Sequence, residues 1–237
     1  MRFLFILLVV LLVSCGEKEY VNEPPVEKEL GASAVPSKKS FSVDFESCDP
    51  AKEARNWETF PDEAVLVEDL VRSGNCALEL TGKLTHNNKD PEGTNVYVAY
   101  SVFVPAAYDG GILGSWEPAP REAYVERGGE TAPVITAVLA GERIQFLYMQ
   151  QEIVSVPFAR EEWHDLVFHI KWSSTPKGFV QVWVDGESVV QATGKNMYLF
   201  EGNAVLNEFS LHQGVVVDDI RMSGSYEEAT LQTFAQR

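Results

Sequence analysis

The chain has 237 residues, 45% of them hydrophobic, and a formal net charge of −16 at neutral pH. This length fits one large all-β domain or two small ones, and the hydrophobic fraction is typical of a globular core. The acidic balance and the lack of a stripe of lysine and arginine argue against a nucleic-acid partner and disfavour polyanionic ligands.

The first residues read as an export signal. Arg2 provides a short positive region, Phe3 to Val13 are all apolar, and Ser14 and Cys15 follow. Leu-Val-Ser-Cys in this position resembles the lipobox of bacterial lipoproteins, in which the cysteine is lipidated and becomes the mature N-terminus. We therefore expect residues 1–14 to be a signal peptide and Cys15 to carry the lipid. The alternatives are an ordinary signal peptide or a membrane anchor, although the apolar run is short for a membrane span.

A polar segment separates this signal from the first alternating strand. It is rich in Glu, Lys, Pro, Ser and Ala, so residues 15–40 are expected to form a disordered tether. The remaining boundaries that we predict are a folded domain over 41–225 and a tail over 226–237. The expected location is the cell envelope, with the protein anchored by its lipid to a bacterial membrane, in the periplasm or at the surface. A monomer is expected.

Two further cysteines, Cys48 and Cys76, lie in the predicted domain. An even pair of cysteines in an exported chain favours a disulfide, and two reduced buried thiols are the alternative. Closing a loop of this length would stabilise the fold by about 3 kcal/mol.

Short alternating segments run through the whole domain, separated by turns rich in Gly, Pro and Asn. In chain order the predicted strands are 41–46, 64–71, 76–80, 95–105, 110–116, 133–140, 143–149, 152–156, 163–172, 179–185, 188–190, 205–212 and 215–222. Residues 49–62 and 86–94 read as loops, the first with room for one helical turn. Without a long amphipathic helix, this pattern predicts an all-β sandwich or jelly roll of antiparallel sheets.

The segments 163–172 and 179–185 show the clearest alternation, so each has two distinct faces. The first face predicts packing against a second sheet and carries Leu166, Phe168, Ile170, Trp172, Val180, Val182 and Val184. The other face is mixed and predicts contact with solvent or ligand; it carries Trp163, Asp165, Val167, His169, Lys171, Phe179, Gln181, Trp183 and Asp185. His164 falls on the first face, which predicts a buried, hydrogen-bonded structural histidine.

The mixed face combines the residue types that recognise sugars. Tryptophan rings stack on sugar faces, and amide or charged groups beside them bind hydroxyls. We therefore predict carbohydrate-binding residues at Trp116, Trp163, His169, Lys171, Gln181 and Trp183. The alternative is that the tryptophans only pack within the layers of the sandwich.

Several of these stretches resemble one family. They are 41–46, 71–80, 111–116, 163–172, 178–186 and 217–222, and together they span most of residues 41–224. They resemble the heparin lyase I-like and alginate lyase-like polysaccharide lyases of the concanavalin A-like superfamily. The resemblance implies a concanavalin A-like jelly roll and a polysaccharide partner.

The resemblance also implies cleavage by β-elimination, which needs a neutraliser for the uronate carboxylate, a base and an acid. The family's Gln-x-His positions carry Ser115 and Glu117 here. Aligning the late Gly-x-Tyr motif on Gly214 places Val216 at the tyrosine, and His212 stands where relatives have a lysine. Because these positions are not matched, other groups would have to act.

The candidate acids and bases are drawn from the titratable side chains of the predicted strands. They are His169, His212, Tyr148 and Glu117. We expect one of two functions: an envelope lipoprotein that binds a polysaccharide, with or without cleavage by β-elimination, or a non-catalytic structural or adhesion module. The acidic chain favours neutral or weakly charged sugars.

No cofactor or catalytic metal is expected, because the chain has no nucleotide loop, zinc-ligand cluster or nucleophile elbow. A structural calcium ion is left open. Asp218 and Asp219 are adjacent in a predicted strand. Neighbouring strand residues point to opposite faces, so the two carboxylates could share an ion only at a bulge.

Overall fold

The computed structural model describes residues 35–36, 40–88, 90–119, 132–200, 203–204 and 206–230. These residues form two sheets packed face to face, so the predicted all-β sandwich of antiparallel sheets is confirmed. Within the described part, no helix is both long and apolar enough to cross a bilayer. The predicted signal peptide and Cys15 lie outside the described residues.

The first nine strands of the chain are divided between the two sheets. They are β1 (Val35–Pro36), β2 (Phe41–Val43), β3 (Val65–Val67), β4 (Ala77–Glu79), β5 (Leu84–Asn88), β6 (Thr94–Phe103), β7 (Gly111–Ala119), β8 (Ile135–Ala140) and β9 (Arg143–Tyr148). Strand β5 lies partly within the segment 86–94, which the composition had predicted to be a loop.

The remaining strands complete both sheets. They are β10 (Gln151–Pro157), β11 (Trp163–Lys171), β12 (Phe179–Val184), β13 (Glu187–Thr193), β14 (Leu199–Phe200), β15 (Asn203–Ala204), β16 (Leu206–Leu211) and β17 (Val216–Ser223). Helix α1 (Pro50–Glu53) and a 3-10 turn (Ala54–Asn56) follow β2, and helix α2 (Tyr226–Thr230) follows β17.

The larger sheet has the strand order β13-β12-β11-β6-β17-β4-β3, with β2 also paired to β17 and β1 paired to β6. The smaller sheet has the order β10-β9-β8-β7-β16-β5. Strand β1 pairs with β6 in parallel, through Val35 with Thr94 and Pro36 with Asn95. These two residues lie within the segment 15–40, whose description as a disordered tether stays a prediction.

The core lies between the sheets, as the alternation on β11 and β12 predicted. All seven side chains of the predicted core-facing stripe are buried in one cluster with the inward side chains of the smaller sheet. The largest inward side chains of the smaller sheet are Leu113, Trp116, Phe146, Phe209 and Leu211. Trp116 packs against Trp172 and Phe209 and is buried, so its predicted role as a sugar-stacking residue is wrong.

The structural reading of His164 is confirmed. Its Nδ1 lies 2.6 Å from the Asp185 carboxylate and its Nε2 lies 3.1 Å from the Ala159 carbonyl, so the protonated ring can donate to both. Burial alone lowers the pKa of His164, but the hydrogen bond and charge of Asp185 raise it overall. The hydrogen bond to Asp185 therefore ties β11 to the turn after β12.

The predicted disulfide is present between Cys48 and Cys76. It joins the segment after β2 to the start of β4 across a sequence separation of 28. The loop-entropy model gives about 3.6 kcal/mol of stabilisation for such a loop.

Candidate functional site

The outward face of the smaller sheet has a floor of short hydroxyl side chains. Ser210 pairs with Thr85 on one side and Ser115 on the other, and Ser115 pairs in turn with Thr136. Residues directly opposite one another in antiparallel strands point to the same face, so these four side chains form one row. All four are buried, and the Thr85 hydroxyl has no hydrogen-bond partner among the described residues.

Longer charged side chains rise beside this floor. Glu117 on β7 is directly opposite Glu208 on β16. The Lys83 ammonium, just before β5, forms ion pairs with both carboxylates and lies 2.8 Å from Glu208 Oε1. Burial lowers the pKa of Lys83, but the hydrogen bonds and charges of Glu117 and Glu208 raise it overall. The lysine therefore holds together two carboxylates that would otherwise repel each other.

His212 stands at the end of β16, next to this cluster. Its Nε2 lies 3.4 Å from the Ser115 hydroxyl, and its side chain is partly exposed. Burial is the largest cause that lowers the pKa of His212, and the positive charge of Lys83 lowers it further. The carboxylates of Glu117 and Glu208 raise this pKa, but the net shift is downward. The imidazole is therefore neutral at neutral pH and can accept a proton.

A close backbone contact fixes β7 beneath this cluster. A Cβ atom on Gly114 would lie 2.7 Å from the Tyr100 hydroxyl and 3.3 Å from Leu211 Cδ2. The register of β7 shifts at this point, between Ile112 and Gly114. Only glycine allows this approach without displacing the core, and the approach sets Ser115 beside His212.

The outward face of the larger sheet is covered. His169 stacks on Tyr97 with ring centroids 3.9 Å apart, and Trp183 packs against Tyr226 of α2 at 5.2 Å. His169 and Trp183 are buried, so the prediction that this face is open to a ligand is wrong at both positions. Burial and, to a smaller extent, the charge of Lys171 lower the pKa of His169 to about 3, so the ring stays neutral.

The other carbohydrate-binding residues predicted on this face, Trp163, Lys171 and Gln181, are partly exposed. Trp163 contacts the Phe103 ring at 5.8 Å, and Gln181 donates to the Ser188 hydroxyl at 3.4 Å. Lys171 lies at the end of β11. The larger sheet keeps these three apart from the group around His212, which lies on the smaller sheet, and whether they bind sugar stays a prediction.

Tyr148, a further catalytic candidate, ends strand β9. Its hydroxyl donates to the Lys195 carbonyl at 3.2 Å, and its ring packs against the core cluster. Burial raises its pKa to about 12. Of the four catalytic candidates, the structure therefore brings together His212 and Glu117.

A loop covers another part of the larger sheet's outward face, around Asp165. The Arg72 guanidinium donates to both carboxylate oxygens of buried Asp165, at 2.9 and 3.3 Å. Ser101 also donates to Asp165 and pairs in register with Asp218. This face is therefore closed by an ion pair as well as by the aromatic contacts under α2.

Strand β17 contains a bulge at Asp218 and Asp219. The two carboxylates could share an ion only at such a bulge. The register of β17 shifts between Asp218 and Arg221, and Asp219 has a φ of 49°. As a result Ser73 reaches both carboxylates, through its backbone N–H to Asp218 and its hydroxyl to Asp219. Burial and the neighbouring charge raise the pKa of Asp218 to about 7.

Beyond the Asp218–Asp219 pair, one other group of potential metal ligands is found among the described residues. Three potential ligand groups come together at Cys48, Glu68 and Cys76, but the two sulfurs are bonded to each other. The Asp218–Asp219 pair offers one buried oxygen, Asp219 Oδ1, without a hydrogen-bond partner among the described residues. A calcium ion there stays a prediction.

Two members of the charged cluster were not among the predicted site residues. Lys83 and Glu208 are 125 positions apart in the sequence and meet only because β5 and β16 are neighbours. The sequence signal was the replacement of Gln-x-His by Ser115 and Glu117. Two residues spaced by two on a strand share a face, so Ser115 and Glu117 together indicate the surface on which Lys83 and Glu208 also lie.

Comparison with known proteins places the fold. The structure superimposes on an endo-β-1,4-glucuronan lyase from the fungus Trichoderma reesei with a TM-score of 0.59 and 14% identity, covering 82% of this chain and 98% of that one. It also matches alginate lyase Aly36B in complex with an alginate trisaccharide, with a TM-score of 0.55 and 12% identity, covering 81% and 100%.

A further match is a carbohydrate esterase from Shiga toxin-encoding bacteriophage phi24B, with a TM-score of 0.53 and 13% identity, covering 78% of this chain and 97% of that one. At such identities these structures show the fold alone. No curated protein matches the sequence. The polysaccharide lyase family model matches residues 56–216, more than half of the chain. The chain, a sandwich of two antiparallel sheets, therefore belongs to the polysaccharide lyase family.

Proposed function

We propose that the protein binds a polysaccharide across the outward face of the smaller sheet and cleaves it by β-elimination, with His212 as the base. The observation that carries the proposal is a neutral, partly exposed imidazole beside Lys83, Glu117 and Ser115. A base for proton abstraction must be unprotonated at the working pH and reachable by the substrate. His212 meets both conditions.

The elimination can be written with His212 alone as the proton carrier. The imidazole takes the proton from C5 of a uronate residue, the C5–H electrons form the C4–C5 double bond, and the C4–O bond breaks. The imidazolium then returns the proton to the departing oxygen. The phenols of the described strands are engaged elsewhere: Tyr100 is buried in the core, Tyr97 stacks on His169, and Tyr148 donates to Lys195.

The buried hydroxyl floor supports the binding part of the proposal. Ser115, Ser210 and Thr85 place three hydroxyl groups in one row next to Lys83, Glu117 and Glu208. Their hydroxyl groups can both donate and accept, as sugar hydroxyls do. The charged side chains of Lys83, Glu117 and Glu208 border this floor on one side.

The test is the absorbance near 235 nm of the unsaturated product, followed with the full chain on a panel of uronate polymers. We expect absorbance to rise with at least one polymer and the rate to fall about 10²–10⁴-fold in His212→Ala, as for loss of a general base. The matched control is His86→Gln, because His86 is also on the smaller sheet but stacks on Phe41.

Two results would contradict the catalytic proposal. A rate that His212→Ala leaves unchanged would place the base elsewhere. Retention on glycan affinity gels without any absorbance change would leave a polysaccharide-binding protein that does not cleave. If no glycan is bound at all, the chain is a structural or adhesion module of the cell envelope.

We also propose that Cys15 carries a lipid that anchors the protein to a bacterial membrane. The support is the sequence itself, an apolar run that ends in Leu-Val-Ser-Cys. In a bacterial host fed a labelled fatty acid, the full chain should take up label and fractionate with membranes. Cys15→Ser should do neither, and label that persists in this variant would contradict the proposal.

A further inference from the structure

The charges beside His212 restrict the chemical form of the sugar that the site can hold. Lys83 is bound by two carboxylates, Glu117 and Glu208, at 2.8 Å from the second. Lys83 is also the one cation, among the described residues, whose charge acts on His212. Two glutamates and one lysine leave the group with a net charge of −1, and the ammonium has no charge to spare for a ligand.

A free uronate would therefore meet repulsion where the lyase reaction needs attraction. The carboxylate at C5 must lie next to the base, and like charges a few ångströms apart in a partly buried site repel strongly.

Esterification of the sugar carboxyl group removes this conflict. An ester has no negative charge to neutralise. Its C5 proton is also more acidic than that of a free uronate, because no carboxylate charge opposes the negative charge that develops when the proton leaves. On this basis, and resting on the proposed lyase function, we infer that the substrate is a polyuronate whose carboxyl groups are esterified. The site then needs only hydrogen-bond donors for the ester carbonyl.

The reaction balances without any co-reactant. His212 takes the C5 proton, and the electron pair passes first to the ester carbonyl and then into the C4–C5 double bond as the C4–O bond breaks. The proton goes to the leaving oxygen. The Ser115 hydroxyl, 3.4 Å from His212 Nε2, and the Lys83 ammonium, whose charge acts on His212, are the donors that we assign to the carbonyl oxygen.

The experiment compares pairs of the same polymer with and without methyl esters. Polygalacturonate, glucuronan and alginate are each offered to the full chain in both forms at pH 6.5, where esterified polymers break down slowly by themselves. Absorbance at 235 nm is read against enzyme-free blanks. We expect at least a tenfold higher rate on the esterified member of the pair that is cleaved.

The outcomes separate this inference from the function on which it rests. A free acid that is cleaved as fast as its ester, or faster, would overturn the inference and leave the lyase function standing. Absorbance that rises in neither form of any polymer would overturn both.

A variant tests the electrostatic cause directly. Glu208→Gln removes one carboxylate from Lys83, so the ratio of ester to free-acid rates should fall at least threefold. Glu187→Gln, an exposed glutamate at the start of β13 on the other sheet, is the matched control and should leave the ratio unchanged. A ratio that Glu208→Gln does not lower would overturn the inference.

Discussion

The outward faces of the two sheets differ in what covers them. On the larger sheet, α2 lies over Tyr97 and Trp183, and Arg72 closes over Asp165. On the smaller sheet, the described residues leave Lys83, Glu117, Glu208 and His212 partly exposed above a floor of hydroxyls. Both faces carry polar groups on alternating strands, and the two faces differ in what covers these groups.

This difference shows that the type of a side chain does not by itself indicate whether a ligand can reach it. Tryptophan and histidine on a mixed strand face are common in glycan sites, but the same residues also form a second apolar layer when a helix packs on them. Here Trp183 and His169 belong to such a layer. The smaller sheet has fewer aromatic groups outside, and its neutral imidazole has access to solvent.

The largest effect is expected from removal of the cation on the covered face. Arg72→Met leaves Asp165 buried without its guanidinium, which should lower the free energy of unfolding by about 3–5 kcal/mol. Urea denaturation measures this loss. The double variant Arg72→Met with Asp165→Asn should recover part of it, and a single variant as stable as wild type would mean that Asp165 is not sealed from water.

Trp183→Ala tests whether the aromatic layer is structural. Loss of a buried tryptophan should cost about 3–5 kcal/mol of stability, while polysaccharide affinity of the folded protein on affinity gels should not change. Trp163→Ala, on the same sheet face but partly exposed, should cost less. Loss of binding in folded Trp183→Ala would move the sugar site to the larger sheet.

The sequence predicted the sandwich because period-2 alternation is a local signal. The stripe from Leu166 to Trp172 identified the core-facing side correctly, and the observed β11 (Trp163–Lys171) ends within one residue of the predicted segment. Alternation also identified which side chains share the other face. It could not show which face is covered.

Covering depends on contacts between residues that are distant in sequence. Ser73 bonds Asp219 across 146 positions, and Lys83 bonds Glu208 across 125. No local pattern around either residue marks these pairs. The bulge at Asp219 was equally invisible, because a single inserted residue leaves the composition of the strand unchanged.

A smaller effect is expected from the carboxylates that lie beneath the covering loop. The folded-state pKa of Asp218, about 7, is raised above the ordinary value of 3.8. Its contribution to stability is therefore present below about pH 4 and is lost as the pH rises through 7. Asp218→Asn keeps an acceptor for the Arg72 and Ser73 N–H groups but loses the oxygen that accepts from the Asp219 N–H. Its stability relative to wild type should therefore be lowered by a fixed amount at every pH and should rise by about 1–3 kcal/mol between pH 4 and pH 8, where wild type loses the contribution.

Thermal unfolding in a chelating buffer between pH 4 and 8 measures this effect, since a bound cation would keep the carboxylates ionised. The stability of Asp218→Asn relative to wild type should fall steadily towards pH 4. Asp109→Asn, an exposed aspartate before β7, is the control and should follow wild type at every pH. A relative stability that is equal at pH 4 and pH 8 would contradict the raised pKa.

The smallest change in stability is expected for Lys83→Met, the counterpart on the accessible face of Arg72→Met. Because Lys83 is partly exposed, its loss should cost about 0–1 kcal/mol. Its effect should appear in catalysis instead. Burial and the charge of Lys83 lower the pKa of His212, whereas Glu117 and Glu208 raise it, so without the lysine this pKa rises. A base works only when unprotonated, so the acidic limb of the plot of rate against pH should move to higher pH.

The control is Lys177→Met, in the exposed turn before β12, which should leave the acidic limb in place. An acidic limb that does not move in Lys83→Met would show that a group other than His212 sets it.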